Sequence, residues 1–335
     1  MKYGFFRLAA ASPKTVVADC RANASAITEC VKKASSEGAK LIVFPELCIT
    51  GYTCSDLFLQ DTLQKNALSA LELIAAKTAD TDALISVGLP MSDGTALYNA
   101  AAVIFRGKVL AIVKKSFIPN YAEFYERRHF ATGAELGAES REESKISLSG
   151  KSVPFGTRFI FKDAQNPLAA IGFEICEDLW VPLSPSTTLA LSGATIIANL
   201  SASNEIIGKA SYRRTLVSSQ SAKTVSAYLY ANAGNGESTA SAVYSGHCII
   251  AENGHIIAEN DGIFGSRMVC TDIDLGFIAF EKRRTGSCAA LCEVTEVPLS
   301  PADTKLERRF SPLPFVPEKN RSCHATCAAR AVLLW

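Results

Sequence analysis

The sequence has no uninterrupted run of 18 apolar residues, no Cys-x-x-Cys pair, no excess of either charge and no internal repeat. The first absence excludes a membrane-spanning helix from the reading, since a span needs about 20 apolar residues. The apolar start, Met1 to Ala11, is interrupted by Arg7 and reads as a first strand rather than as a leader segment. Eleven cysteines form an odd set without a Cys-x-x-Cys pair, so neither a zinc module nor a disulfide scaffold is signalled. Such free thiols suit a reducing compartment, and a cytoplasmic location is the expectation. Net charge is +1 from 34 basic and 33 acidic residues, and the longest basic run is only Lys282-Arg283-Arg284. No field of that size attracts nucleic acid or a membrane surface.

What is present is a chain long enough, at 335 residues with 48% hydrophobic, to bury a sizeable core. Strand-like and helix-like stretches alternate. Phe5 to Ala10, Leu41 to Phe44 and Ala83 to Leu89 read as strands, separated by helices over about 23–37 and 61–77. Ala100 to Phe105 and Lys108 to Val113 flank Arg106-Gly107, a two-residue hairpin turn, so the sheet is expected to be mixed. A strand ending at Ile175 follows, then a helix over 186–192, a strand over 195–200 and a helix over 209–222. Four strands over 225–231, 248–251, 256–258 and 268–273 close the run, with Glu252-Asn253-Gly254 as a turn. Residues 134–151 are polar and rich in Glu, Ser and Gly, which predicts a surface loop. The domain boundary is placed at 300, with 301–335 as a proline-bearing linker or arm. The expected class is therefore α/β.

Three strand ends carry chemistry. Cys176 closes the apolar strand before Glu177-Asp178, with Glu174 two residues earlier, and a thiol among carboxylates needs a cation and a base from elsewhere to act as a nucleophile. Glu46, in Phe44-Pro45-Glu46-Leu47, follows a strand directly; desolvation there raises a carboxyl pKa into the range useful for proton transfer. The plainer alternative for Glu46 is a turn or cap residue. In Val113-Lys114-Lys115-Ser116 one lysine of the pair can point inward to supply the cation, although a lysine pair at a strand end is commonly a solvated edge.

Phe44-Pro45-Glu46-Leu47, Lys115-Ser116-Phe117-Ile118-Pro119 and Glu174-Ile175-Cys176-Glu177-Asp178 together resemble the three signatures of the nitrilase, or carbon–nitrogen hydrolase, superfamily. Further segments narrow the likeness: Gly51-Tyr52 with Asp56-Leu57-Phe58, Tyr121 to Arg128, Asn199 to Ser203 with Ile207-Gly208-Lys209, Gly234 to Thr239, and Pro314-Phe315-Val316-Pro317. These are similar to the glutaminase domain of glutamine-dependent NAD synthetases, over about residues 1–318.

The resemblance implies a four-layer αββα sandwich with Cys176 as nucleophile, Glu46 as general base and acid, Lys115 as oxyanion stabiliser and Glu126 assisting beside them. It implies glutamine as substrate, contacted by Tyr121, Ser203 and Lys209, with Tyr52 and Trp180 as pocket walls. Relatives can carry Arg at the place of Lys209, and Lys cannot grip a carboxylate bidentately. No metal and no cofactor is implied for the amide step; ATP, Mg and deamido-NAD would enter only with a synthetase domain. The Ser-Gly-Gly-x-Asp-Ser pyrophosphate loop of that domain is absent from this sequence. A synthetase domain or subunit is thus the expected partner, alongside homo-oligomerisation. The stretch from Cys323 to Trp335 departs from the family pattern and reads as a truncated or frame-shifted end; Cys323, His324 and Cys327 lack a fourth ligand for a metal site. Two other readings compete: a free-standing amidase or nitrilase acting on another amide, and a catalytically idle remnant.

Overall fold

The computed structural model describes residues 4–133, 144–237, 241–260, 267–286, 288–301 and 305–308. The chain divides into a unit Met1–Thr304, which holds every element named below, and a second unit Lys305–Trp335. Ser238, Thr239, Pro312, Pro314 to Pro317, Cys323, His324 and Cys327, all singled out in the sequence, lie outside the described residues.

The first half runs β1 (Phe5–Ser12), α1 (Cys20–Ser36), β2 (Leu41–Val43), α2 (Asp61–Lys77), β3 (Leu84–Ser92), β4 (Leu97–Phe105) and β5 (Lys108–Lys114). Next come β6 (Ser144–Leu148), β7 (Lys151–Gly156), β8 (Phe159–Asp163), β9 (Ala170–Ile175), α3 (Pro185–Leu191), β10 (Ile196–Ser201) and α4 (Lys209–Thr224). The unit ends with β11 (Ala227–Asn232), β12 (Cys248–Glu252), β13 (His255–Glu259), β14 (Arg267–Asp274), α5 (Leu275–Thr285) and β15 (Glu293–Val297). One sheet has the order β14-β1-β2-β3-β4-β5-β7-β6, the other β13-β12-β11-β10-β9-β8-β15. Both are mixed: β1, β2 and β3 are parallel, as are β9, β10 and β11, while β3-β4-β5 is an antiparallel meander.

Strand periodicity explains the layering. In β2 and the residue after it, Ile42 and Phe44 pack with Ile27 and Val31 of α1 and Leu71 and Ile74 of α2, whereas Leu41 and Val43 face the other sheet. A strand covered on both faces must be apolar at every position, which is why Leu41 to Phe44 is a continuous run. Between the sheets Phe6, Leu8, Phe161, Ile171, Phe173 and Leu229 form the central core. On the far side, Leu189 of α3 and Val217 of α4 pack on Ile197, Tyr228 and Tyr230. The result is helix, sheet, sheet, helix, the αββα sandwich. Among the described residues no helix is long and apolar enough to cross a membrane.

Local signals set the boundaries. The Asp19 carboxylate accepts from the Ala22 N–H at 2.9 Å to start α1, and Asp274 accepts from the Phe277 N–H at 2.9 Å to start α5. Arg106 and Gly107 both have positive φ, 43° and 76°, the backbone of a tight hairpin turn matched to strand twist. The predicted loop over 134–151 is corrected: its described part contains β6 and the first residue of β7, an antiparallel hairpin through Ser149-Gly150. Its polar residues are the solvent face, while Ile146 and Leu148 pack on the helix-side core. Strands β8 and β15 and helix α5 had no assignment from sequence; β15 is a mostly exposed edge strand whose pairing with β8 bridges more than 130 residues of chain.

Candidate functional site

Glu46, Lys115 and Cys176 come from three strand ends in two sheets. Glu46 lies three residues after β2 and Lys115 directly after β5 in the first sheet; Cys176 directly follows β9 in the second. Alternation along β5 sends the two lysines to opposite faces. Lys114 Nζ sits 5.2 Å from the ring centre of Tyr98 and 4.9 Å from that of Phe155, while Lys115 turns inward and is fully buried.

Two glycines make room for these turns. A Cβ on Gly88 of β3 would stand 2.2 Å from the Leu47 nitrogen and 2.7 Å from the Pro45 oxygen, so the Glu46 turn lies directly on β3 at the one residue type that admits it. A Cβ on Gly133 would stand 2.5 Å from the Lys115 oxygen, and the Gly133 N–H donates to that oxygen at 2.8 Å. Residue reading alone had found neither glycine, although an isolated Gly in an apolar strand is the signal of close backbone approach.

Lys115 Nζ donates to Glu46 Oε1 at 2.6 Å and to both Glu126 oxygens at 2.8 Å. Asn99 of β4 donates to Glu46 Oε1 at 2.6 Å and to Glu126 Oε2 at 3.2 Å, and Tyr52 OH donates to Glu126 Oε1 at 2.8 Å. Glu46 Oε2, like Asn99 Oδ1, is buried with no hydrogen-bond partner among the described residues, and of the two only the first belongs to a carboxylate. It is therefore available to take a proton. Burial raises the Glu46 pKa to about 7, with Lys115 opposing and Glu126 reinforcing. Burial works against the Lys115 ammonium, yet Glu126 and Glu46 outweigh it and hold the pKa well above the usual lysine value.

Cys176 is 5% exposed and adopts φ 45°, a left-handed turn rare for a residue with a Cβ. Burial pushes its thiol well above the ordinary value, Glu46 and Glu126 add to that, and Lys115 opposes. The anions felt by the thiol are thus not mainly its sequence neighbours. Glu174 points by strand alternation to the α3 side, where it accepts from Ser184 Oγ at 2.7 Å, the Ser186 N–H at 2.8 Å and Tyr228 OH. Asp178 is taken up by backbone N–H groups, and Glu177 accepts from Tyr121 OH at 3.0 Å. At rest the site holds a neutral thiol beside an ammonium and a proton acceptor. That set can deprotonate a nucleophile and stabilise an oxyanion.

Among the other sequence-derived residues, Tyr52, Tyr121 and Lys209 all lie within electrostatic range of Cys176. Tyr230 and Tyr244, which the sequence reading missed, do so too. Lys209 Nζ contacts Asn204 Oδ1 and lies 3.9 Å from Glu123 Oε1, between the rings of Phe124 at 5.2 Å and Trp180 at 5.4 Å. Trp180 packs on Tyr212, with ring centres 5.4 Å apart. Ser203 is buried, its N–H donating to Asn232 Oδ1 at 2.7 Å. Tyr52 and Tyr244, at 5.9 Å between ring centres, line a pocket of about 70 Å³ with Glu123, Phe124 and Glu126. Asn99, a buried Asn in the largely apolar β4, was also missed, and Asn199 of β10 was noted only as part of a family segment and given no role. Among the described residues no cluster of three or more His, Cys, Asp or Glu is arranged to hold a metal ion.

The carbon–nitrogen hydrolase family profile matches residues 7–282. The chain belongs to the carbon–nitrogen hydrolase family. This hydrolase is 40% identical over 287 residues to the glutamine-dependent NAD(+) synthetase of Mycobacterium tuberculosis H37Rv, covering 85% of this chain and 41% of that protein. It is 34% identical over 242 residues to the protein of the same name from Aquifex aeolicus, covering 72% and 38%. The chain thus spans about two fifths of the length of these relatives. Among solved structures, a glutamine-dependent NAD(+) synthetase from Cytophaga hutchinsonii superposes with a TM-score of 0.70 at 29% identity, over 80% of this chain and 43% of that one. An amidase from Nesterenkonia sp. shares the fold at 20% identity and a TM-score of 0.63, over 85% and 98%.

Proposed function

We propose that this hydrolase cleaves the side-chain amide of glutamine through Cys176, Glu46 and Lys115, with Glu126 and Asn99 holding the ammonium and the general base. The observation that carries the reading is the buried, unpartnered Glu46 oxygen beside a fully buried Lys115, both in electrostatic contact with the thiol. Glu46 takes the Cys176 proton as Sγ attacks the amide carbon, and Lys115 neutralises the oxyanion. Collapse breaks the C–N bond, and the proton held by Glu46 leaves with the amine as ammonia. A γ-glutamyl thioester remains. Water then gives a proton to Glu46 and adds to the thioester, and return of that proton to sulfur frees glutamate.

Glutamine rather than another amide is favoured by the named relatives and by Lys209, a cation flanked by two aromatic rings and suited to the substrate carboxylate. Tyr121, Ser203, Tyr52 and Trp180 complete the proposed binding set. Ammonia then passes to a synthetase partner that uses ATP, Mg and deamido-NAD, in the cytoplasm and within a homo-oligomer.

The test is direct. Purified protein should release equal amounts of ammonia and glutamate from glutamine, and Cys176→Ala should abolish release. Undiminished activity in that variant would end the proposal, and far faster turnover of a simple aliphatic amide would favour a free-standing amidase instead.

A further inference from the structure

Cys176 and Lys115 sit on facing sheets, and apolar packing between sheets is non-directional. Something polar must fix the register where the two strand ends meet. Asp178 spans that gap. It lies two residues after Cys176, in the 3₁₀ turn Cys176–Leu179, and is 1% exposed. Its Oδ2 accepts from the Ile175 N–H at 2.9 Å, capping the turn that carries the thiol. Its Oδ1 accepts from the Phe117 N–H at 2.9 Å, and Oδ2 also takes the Ser116 N–H at 3.4 Å. Those two amides directly follow Lys115. One carboxylate thus holds the residue before the nucleophile and the residues after the ammonium.

We propose that Asp178 is the positioning residue that sets the separation between the Cys176 thiol and the Lys115 ammonium across the two sheets. Burial and the nearby Glu174 push the Asp178 pKa up to about 8, and the Ile175 and Phe117 N–H groups oppose them, because three N–H donors converge here and only the ionised, acceptor-only form meets them all. An asparagine has the same shape but turns one acceptor into a donor, so it gives up one of the two 2.9 Å bonds, to Phe117 or to Ile175, and loss of the first leaves the gap bridged only by the 3.4 Å contact to Ser116. On the other side of the turn, Asn199 Oδ1 accepts from the Cys176 N–H at 3.1 Å and is itself tied to Tyr228, which fixes the thiol's own turn but makes no bond to the Lys115 segment.

The inference rests on Cys176 being the nucleophile, and the experiment separates the two claims. Full-length wild type, Asp178→Asn and Asp178→Glu are compared by glutamine turnover and by iodoacetamide alkylation of Cys176 across pH, read peptide by peptide. Asp178→Asn should lose about 10- to 100-fold in kcat with KM within about twofold, because a shift of about 1 Å between reacting groups has that effect. Its alkylation midpoint should move to higher pH as Lys115 withdraws from the thiol, and Asp178→Glu should recover part of both effects. A purely structural residue would leave the alkylation midpoint in place. Unchanged kcat and midpoint in Asp178→Asn overturn the proposal. Should that variant fail to fold, amide hydrogen exchange of the wild type decides: Phe117 and Ser116 are expected to be protected, and exchange at the rate of open amides overturns the clamp. Absent turnover and an unreactive Cys176 in the wild type would instead sink the nucleophile assignment, leaving the exchange result to judge the clamp.

Discussion

Replacing Gly88 by alanine perturbs the Glu46 turn without touching any ionisable group. The added Cβ would meet the Leu47 nitrogen at 2.2 Å, the Pro45 oxygen at 2.7 Å and the Glu46 carbonyl carbon at 2.8 Å, where ordinary contact begins at 3.4 Å. All three are backbone atoms, so no side chain can swing aside. The turn must lift off β3 by roughly 1 Å, which breaks or stretches the 3.1 Å bond from the Ile49 N–H to the Gly88 oxygen and the 2.6 Å contact between Lys115 and Glu46. Overpacking of this kind costs about 1–3 kcal/mol in stability. Displacing a proton-transferring group by that distance costs on the order of 100-fold in rate. The assay is ammonia release under saturating glutamine, with urea unfolding measured in parallel. A Gly88→Ala protein with wild-type kcat and wild-type unfolding would refute the claim that β3 holds the general base in place.

Two other outcomes follow from the charges. Glu46 must be ionised to accept the thiol proton, so kcat/KM should rise with pH to a plateau with a midpoint near its pKa of about 7, and fall roughly tenfold per unit below it. A flat profile between pH 5 and 8 would remove Glu46 from the proton transfer. Lys115→Met leaves Glu46 and Glu126 buried without their cation, a loss of about 3–5 kcal/mol. The sign against pH is fixed by the carboxyls. Burial raises the folded-state pKa of Glu46 above its unfolded value, so the loss grows as pH rises through that folded pKa and shrinks toward pH 5, where the carboxyl is protonated. Urea unfolding at pH 5 and pH 8 checks it, and a loss that is equal at both would contradict the array.

Much of the site was legible because an apolar strand followed at once by a charged residue is a local pattern. Phe44-Pro45-Glu46, Val113-Lys114-Lys115 and Ile175-Cys176 each announce a functional strand end without any knowledge of neighbours. The supporting residues were not legible for the same reason. Asn99 acts through Glu126 and Glu46, 27 and 53 positions away, Tyr230 and Tyr244 reach Cys176 across 54 and 68 positions, and the role of Asp178 exists only because two sheets meet beside it. The hairpin of β6 and β7 was hidden by its solvent face, and β15 by an exposed surface that carries no apolar alternation.

By itself the sequence determined the layered α/β architecture, since buried strands need continuous apolar runs and amphipathic helices need one apolar face. It also determined that three strand ends would carry a carboxylate, an ammonium and a thiol. The family likeness picked Lys115 of the lysine pair and the tertiary structure turns it inward, but tertiary structure alone decided that Glu46 keeps one oxygen free and that the carboxylates beside Cys176 in sequence are turned to hydrogen-bond duties instead of crowding the thiol. The physical reason is range: strand periodicity is encoded residue by residue, whereas desolvation and charge coupling depend on groups that only packing brings together.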